Sequence, residues 1–192
     1  MGHRLCSRIV ALVVAASVAL PAAAGASPAK SSTAACAAAR TDVVAATIAK
    51  ASSATLCLLN RERAARDLRP LKLDRRLSSA ALAHSRDMVR KGYFDHNSRD
   101  GRTPFQRMLA TRYVPKGASW TLGENIGWGT LTLAQPAEVV KAWMKSPGHR
   151  ANILNPQFKE IGIGIAVGVP LDDPSLQDQG GATYTTDFGR HS

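Results

Sequence analysis

The chain has 192 residues, 45% of them hydrophobic, and its 25 lysines and arginines against 14 aspartates and glutamates give a formal net charge of +11. This is one domain's worth of sequence, long enough to bury a real core. The positive charge is scattered along the helical segments, with no zinc-finger spacing and no base-stacking aromatic motif, so a specific nucleic-acid site is excluded and any attraction to anionic polymers is general.

Residues 1–26 have the three-part layout of a secretory signal. Arg4 and Arg8 make a basic start, Ile9 to Leu20 is apolar apart from Ser17, and Pro21 leads into the small residues PAAAGASPA. The apolar run is shorter than the roughly 20 residues a spanning helix needs. Cleavage is expected after Ala24 or Ala26, and Cys6 does not sit as a lipoprotein cysteine would. The mature protein is therefore expected to be exported, without a transmembrane segment, and monomeric. Its charge falls by two with the loss of Arg4 and Arg8. Two cysteines remain, Cys36 and Cys57. An even pair in an oxidising compartment predicts a Cys36–Cys57 bridge.

Residues 27–53 read as a polar linker followed by an accessory helix over Ala34 to Lys50, alanine-rich and without breaks. The main domain is placed at 54–192. Ser52 and Ser53 are candidate caps for a helix from Ala54 to Asp67, with Leu56 and Leu59 turned inward. LRPLKLD is an extended connector. Asp74 caps a third helix whose apolar line is Leu77, Ala81, His84 and Met88, and Gly92 ends it. His84 on that line reads as a core histidine. YFDHNSRDG is a loop, and Thr103 with Pro104 starts a short helix to Arg112. WTLGENIGWGT is extended. Pro136 opens a helix with Val139, Val140 and Trp143 inward, and Pro147 closes it.

EIGIGIAVGV is the clearest strand. Ile161, Ile163, Ile165 and Val167 share one face, and Gly162, Gly164, Ala166 and Gly168 the other. A nearly smooth face means a very close neighbour on that side. LDDPSLQDQGG is a turn-rich loop, and TYTTDFG a strand able to pair antiparallel with the first. Helices outnumber strands without alternating with them, which predicts an α+β fold.

His96, Glu124 and His149 fall in glycine- or proline-flanked segments that read as loops, where sites tend to lie. Two imidazoles and a carboxylate suit a divalent metal with an open position, or acid–base work. Ser98 and Ser146, near the two histidines, could be nominated as nucleophiles; they read better as a loop hydrogen-bonder and a helix-end residue. No G-x-S-x-G or H-E-x-x-H run is present.

DHNSRDG, GENIGWG, AWMKSPGHRANIL, EIGIGIAV and YTTDFG occur in that order. In this they resemble the CAP superfamily, the SCP-like domain of cysteine-rich secretory, antigen 5 and pathogenesis-related proteins, in its compact bacterial form. The resemblance covers about 56–189. It implies a three-layer α-β-α sandwich with a central antiparallel sheet. It also implies a shallow cleft with two histidines, matched here by His96 and His149, and two acids, of which Glu124 matches the first. The second acid would fall three residues after Trp143, where this chain has Ser146. The resemblance further implies an extracellular role in binding lipid, wall polymer or protein. A metal- or histidine-dependent hydrolase is the rival class, and a structural envelope protein held by its charge a third. No cofactor is required on this reading. Zinc on His96, Glu124 and His149 is expected to be weak and exchangeable, because the missing acid would have helped hold it. Arg150 is left open between an anion contact and a surface charge; Asn152, Ile153 and Leu154 read as structural.

Overall fold

The computed structural model describes residues 36–192, so the signal expected over residues 1–26, the polar linker after it and the first two residues of the accessory helix lie outside the described residues. The described chain forms α1 (Ile48–Ala64), β1 (Lys72–Leu73), α2 (Arg75–Lys91), α3 (Pro104–Ala110), β2 (Trp120–Thr130), α4 (Pro136–Lys145), α5 (Pro147–Ile153), β3 (Glu160–Val167), the single turn α6 (Pro174–Gln177) and β4 (Gly181–His191). The sheet order is β1-β3-β4-β2. β4 pairs antiparallel with both β2 and β3, and only the two-residue β1 is parallel to its neighbour β3. The expected α+β sandwich is present, with a mixed rather than wholly antiparallel sheet because the connector LRPLKLD lends two residues to its edge. Among the described residues no helix is long and apolar enough to cross a membrane.

Strand alternation assigns the two sides of the sheet. Ile161, Ile163 and Ile165 of β3, with Tyr184 and Phe188 of β4, share a core with Leu59 of α1, Val139, Val140 and Trp143 of α4 and Ile153 of α5. On the opposite side α2 lies almost on the sheet backbone. A Cβ at Gly162 would sit 2.1 Å from the carbonyl carbon of Leu77, and one at Gly164 2.1 Å from the amide nitrogen of Leu82. The smooth face read from the sequence is thus the seat of a helix.

α2 is delimited as its sequence predicts. The Asp74 side chain accepts from the amides of Arg76 and Leu77, and Gly92 closes the helix in the left-handed conformation at φ 60. In α3 the Thr103 side chain accepts from the Gln106 amide while the Gln106 side chain accepts from the Thr103 amide. These reciprocal bonds satisfy donors that a helix start leaves free.

Three boundaries differ from expectation. The accessory helix over Ala34 to Lys50 does not run through: short 3-10 turns at Ala38–Arg40 and Ala45–Thr47 flank an extended break. Thr47 Oγ1 accepts from the Val44 amide at 3.0 Å and donates to the Asp42 carbonyl at 2.7 Å. Those bonds compete with helical ones, and the break lets Val43 turn into the core. α1 then starts at Ile48, so Ser52 and Ser53 are not caps; Ser53 donates to the Ala49 carbonyl inside the helix. Finally, Pro147 closes α4 and also opens α5, with Ser146 between them. Proline suits a first helical turn, whose amides have no intrahelical partner.

Arg63 falls on the inward line of α1 with Leu59 and is only 1% exposed. Its guanidinium donates to the carbonyls of Arg69, Ile153, Asn155 and Phe158 at 2.8, 2.8, 3.0 and 3.3 Å. A buried charge is tolerated because backbone oxygens surround it. It fastens α1 to the segment that carries α5 into β3.

The Cys36–Cys57 bridge forms, across a sequence separation of 21. It ties the 3-10 segment to α1. Replacing both cysteines by serine should cost on the order of 3 kcal/mol, the chain-entropy value for a loop of this length. Urea denaturation of the oxidised and serine proteins measures it, and coincident curves would show that the bridge adds nothing.

Candidate functional site

β2 is a sheet edge, and the site is built around it. The register places Gly162, Asp187 and Glu124 side by side across β3, β4 and β2. All three face α2. Asp187 is 1% exposed and Glu124 7%, whereas the His96 side chain beyond them is 47% exposed. The row runs from dry interior to solvent.

Glu124 Oε1 meets His96 Nδ1 at 2.7 Å, and Glu124 Oε2 accepts from Arg107 Nη2 at 2.5 Å. Arg107, 6% exposed on α3, also donates through Nη1 to the carbonyls of His96 and Arg102 and to Ser98 Oγ. One guanidinium therefore fixes the carboxylate and the loop bearing the first histidine. His84, 1% exposed on α2, steadies the same loop: its Nε2 lies 2.9 Å from the Asp95 carbonyl. It is the core histidine that the apolar line predicts, with a positioning task added.

His149 reaches the edge from the other side of the sheet, on α5. Asn125 Nδ2 donates to the His149 carbonyl, and Asn152 Nδ2 donates to both Asn125 Oδ1 and the Glu124 carbonyl. The two asparagines of GENI and HRANIL thus clamp α5 to β2. Gly123 makes room for the clamp: a Cβ there would meet Asn152 Oδ1 at 3.0 Å and the Phe158 ring at 2.9 Å. Asn152 is structural as expected, although it lies in a helix. Arg150 is exposed.

Below His149 lies a groove of about 400 Å³ whose wall includes Phe94, Trp128, Leu133, Trp143, Ser146 and His149. Ser146 does face this space. Glu138 also lines it and pairs with Lys141 at 2.9 Å. Glu138 precedes Ser146 by about two helical turns, roughly 12 Å, too far to replace the acid that Ser146 lacks.

The two histidines are tuned in opposite directions. The hydrogen bond to Glu124 raises His96 above the usual imidazole value. Burial, and then the charge of His96, lowers His149. They should titrate on opposite sides of about 6.5, so near that pH the cleft holds one imidazolium and one neutral imidazole. The His96–Glu124 attraction is present in full below the unperturbed value and is lost as pH rises through the raised one. Imidazole NMR titration tests this; a lower midpoint for His96 than for His149 would refute it.

Asp187 and Arg107 were missed by sequence reasoning. Neither lies in a glycine- or proline-flanked loop. Glu124 and His149, expected in loops, lie on a strand and a helix. Both Asp187 oxygens lack a hydrogen-bond partner. Burial, then the Glu124 charge, pushes the Asp187 carboxyl well up. Protonated, it can donate to Glu124.

His96, Glu124 and His149 do not fit a three-ligand zinc centre. Both Glu124 oxygens are engaged, one by a guanidinium, and His96 turns Nδ1 to that carboxylate. Among the described residues no three His, Cys, Asp or Glu side chains are grouped so as to hold a metal.

The model of the CAP, or cysteine-rich secretory protein, family matches residues 56–173. The uncharacterized protein YkwD of Bacillus subtilis is 50% identical over 107 residues, 56% of this chain and 39% of that protein. The uncharacterized membrane protein YlbC of Bacillus subtilis is 31% identical over 110 residues, 57% of this chain and 30% of that protein. The chain thus spans well under half the length of these curated relatives. Among solved structures, an extracellular protein containing a SCP domain from Bacillus anthracis aligns with a TM-score of 0.55 at 27% identity, over 75% of this chain and 44% of that one. An outer surface protein of Borrelia burgdorferi aligns with a TM-score of 0.55 at 21% identity, over 70% of this chain and 87% of that one, a likeness of fold alone.

Proposed function

The chain belongs to the CAP family of cysteine-rich secretory proteins, and from that premise we propose that it is an exported ligand-binding module whose cleft takes an amphipathic molecule. Its apolar part lies along the groove of Phe94, Trp128, Leu133 and Trp143, and its polar group meets His149 and His96. The observation that carries this reading is the pairing of an apolar groove with His149 in its wall and a second, oppositely tuned imidazole whose charge His149 feels. Small-molecule sites combine apolar walls with a few placed polar groups in this way. The extracellular protein from Bacillus anthracis supports placing the domain outside the cell.

The mature protein, incubated with total envelope extract and recovered, should enrich a defined lipid or amphiphilic wall fragment by mass spectrometry. A His96→Ala/His149→Ala double variant should lose that enrichment by about tenfold or more, on the order of two lost polar contacts. Equal recovery by both proteins would refute the cleft.

A hydrolase is the second reading, favoured by the His96–Glu124 pair: a carboxylate that orients an exposed imidazole is half of an acid–base device. Ser98 is a poor nucleophile for it, being buried and held by Arg107. Release of fragments from the extract by wild type and not by His96→Ala would favour this reading. We assign no resident metal. Zinc calorimetry at neutral pH should give at most weak binding, and tight binding lost in both His96→Ala and His149→Ala would overturn that.

A further inference from the structure

A second cavity, of about 460 Å³, opens between α2 and α3; it shares no lining residue with the groove below His149, and His84, Ser98, Arg102 and Arg107, which hold the His96 loop, form part of its wall. We propose that this groove is a separate binding site for the phosphate ester of a small polyol. Small residues of α2, Ala80 and Ala83, leave the space. Arg86, Arg90, Arg102 and Arg107 line it, with Asp87 as the only carboxylate in the wall. Arg102 also pairs with Asp100 at 2.8 Å and Arg107 with Glu124, so among the described residues Arg86 is the lining guanidinium without an ion pair. Asp87 is engaged by Arg90, Lys91 and the Tyr93 hydroxyl. Arg86 and Arg90 stand one turn apart on α2, where like charges repel. Such a wall calls for an anion, and guanidinium forks match phosphate oxygens in geometry as well as charge.

The deepest lining residues specify the rest of the ligand. Arg107 and His84 are more than nine-tenths buried, yet Arg107 Nε and His84 Nδ1 have no hydrogen-bond partner. His84 Nε2 faces a backbone carbonyl, so that nitrogen carries the hydrogen and Nδ1 is left as an acceptor. Burial, then the Arg107 charge, lowers His84 and keeps it neutral. One unused donor and one unused acceptor thus lie beneath the groove floor, reached by a ligand only when a lining side chain shifts. A hydroxyl satisfies both, accepting from Arg107 and donating to His84. Guanidinia above and a donor–acceptor pair below select a ligand with a phosphate at one end and a hydroxyl at the other. The cavity is large enough for a unit of glycerol phosphate size and lies within the usual range for small-molecule sites.

The probe is glycerol 3-phosphate, titrated at low salt into isotope-labelled mature protein and followed by amide and imidazole NMR. Saturable shifts are expected at Ala80, Ala83, Ser98 and the His84 ring, with glycerol inert and inorganic phosphate weaker. An Arg86→Ala/Arg102→Ala variant should bind at least about tenfold more weakly, since two charge-assisted contacts are gone. An Arg61→Ala/Lys159→Ala variant removes the same charge from exposed positions outside the groove and should bind within about twofold of wild type. Absence of saturable shifts, shifts confined to His96 and His149, or equal affinity in the two variants would each overturn the proposal. Phosphatidylglycerol vesicles, set against phosphatidylcholine, separate the sources. Co-sedimentation lost in the Arg86/Arg102 variant assigns the ester to a lipid headgroup. Glycerol 3-phosphate binding without vesicle binding assigns it to a soluble or wall-derived unit. Either result leaves the chemical class standing.

Discussion

An Arg107→Met protein should be about 3–5 kcal/mol less stable than wild type, the range for removing one partner of a buried ion pair. The side chain is nearly isosteric without its head, so the loss reports the guanidinium. That head holds Glu124 Oε2 and three oxygens of the neighbouring loop. Without it Glu124 and Asp187 would lie on adjacent strands with no buried cation beside them. Acid can neutralise the stranded pair, so the loss should be deeper at pH 8 than at pH 5. Exposed pairs such as Arg66–Glu62 set the contrast, worth about 0–1 kcal/mol. Urea denaturation at the two pH values decides; a loss under about 1 kcal/mol would mean that the loop stands without Arg107.

Asp187 adds a signed companion to this result. Its folded carboxyl keeps its proton above the unfolded value of about 3.9, because burial disfavours the charge. The folded state therefore binds more protons than the unfolded one over that window, and stability falls as pH rises through it. Asp187→Asn supplies a permanent amide donor toward Glu124, so its stability relative to wild type should improve as pH rises from about 4.

The second large effect is expected at Gly164. A Cβ there would lie 2.1 Å from Leu82 N and 2.2 Å from the Ala81 carbonyl carbon, both helix backbone that has no rotamer to change. Gly164→Ala must therefore push α2 off the sheet, and we expect a loss of about 3 kcal/mol or more, beyond the ordinary range for a surface site. Gly148→Ala is the control. It lies in α5 with nothing within 4 Å of its Cβ position, and should be neutral or stabilising by up to about 1 kcal/mol. Equal melting curves for the two variants would show that α2 is free to lift.

The sequence was most informative where one physical pattern acted alone. Alternation in β3, the Asp74 and Thr103 caps and the Gly92 stop each follow from local backbone chemistry. They appear in the fold as expected. The accessory helix did not, because alanine propensity was overruled by the Thr47 hydrogen bonds and the burial of Val43. The motifs located His96, Glu124 and His149 along the chain. They could not reveal how those residues are held. Arg107 falls six residues after the last residue of DHNSRDG, inside a helix and outside every quoted motif, and Asp187 acquires its character only from the register of three strands. Long-range pairing of that kind leaves no periodic trace. Nor did Arg63 announce itself: among many surface arginines, only the four carbonyls around it distinguish it.

The hydrogen bonds that shape the cleft have a bearing on self-association. An exposed sheet edge is a template on which another chain can add a strand. At one edge β1 is only two residues long. At the other, β2 runs for eleven residues, yet its Glu124 carbonyl accepts from Asn152 and its Ile126 carbonyl from the Trp143 indole. Acceptors already occupied by side chains do not recruit a foreign backbone. The groups that hold α4 and α5 against the edge thus also guard the sheet against edge-to-edge aggregation.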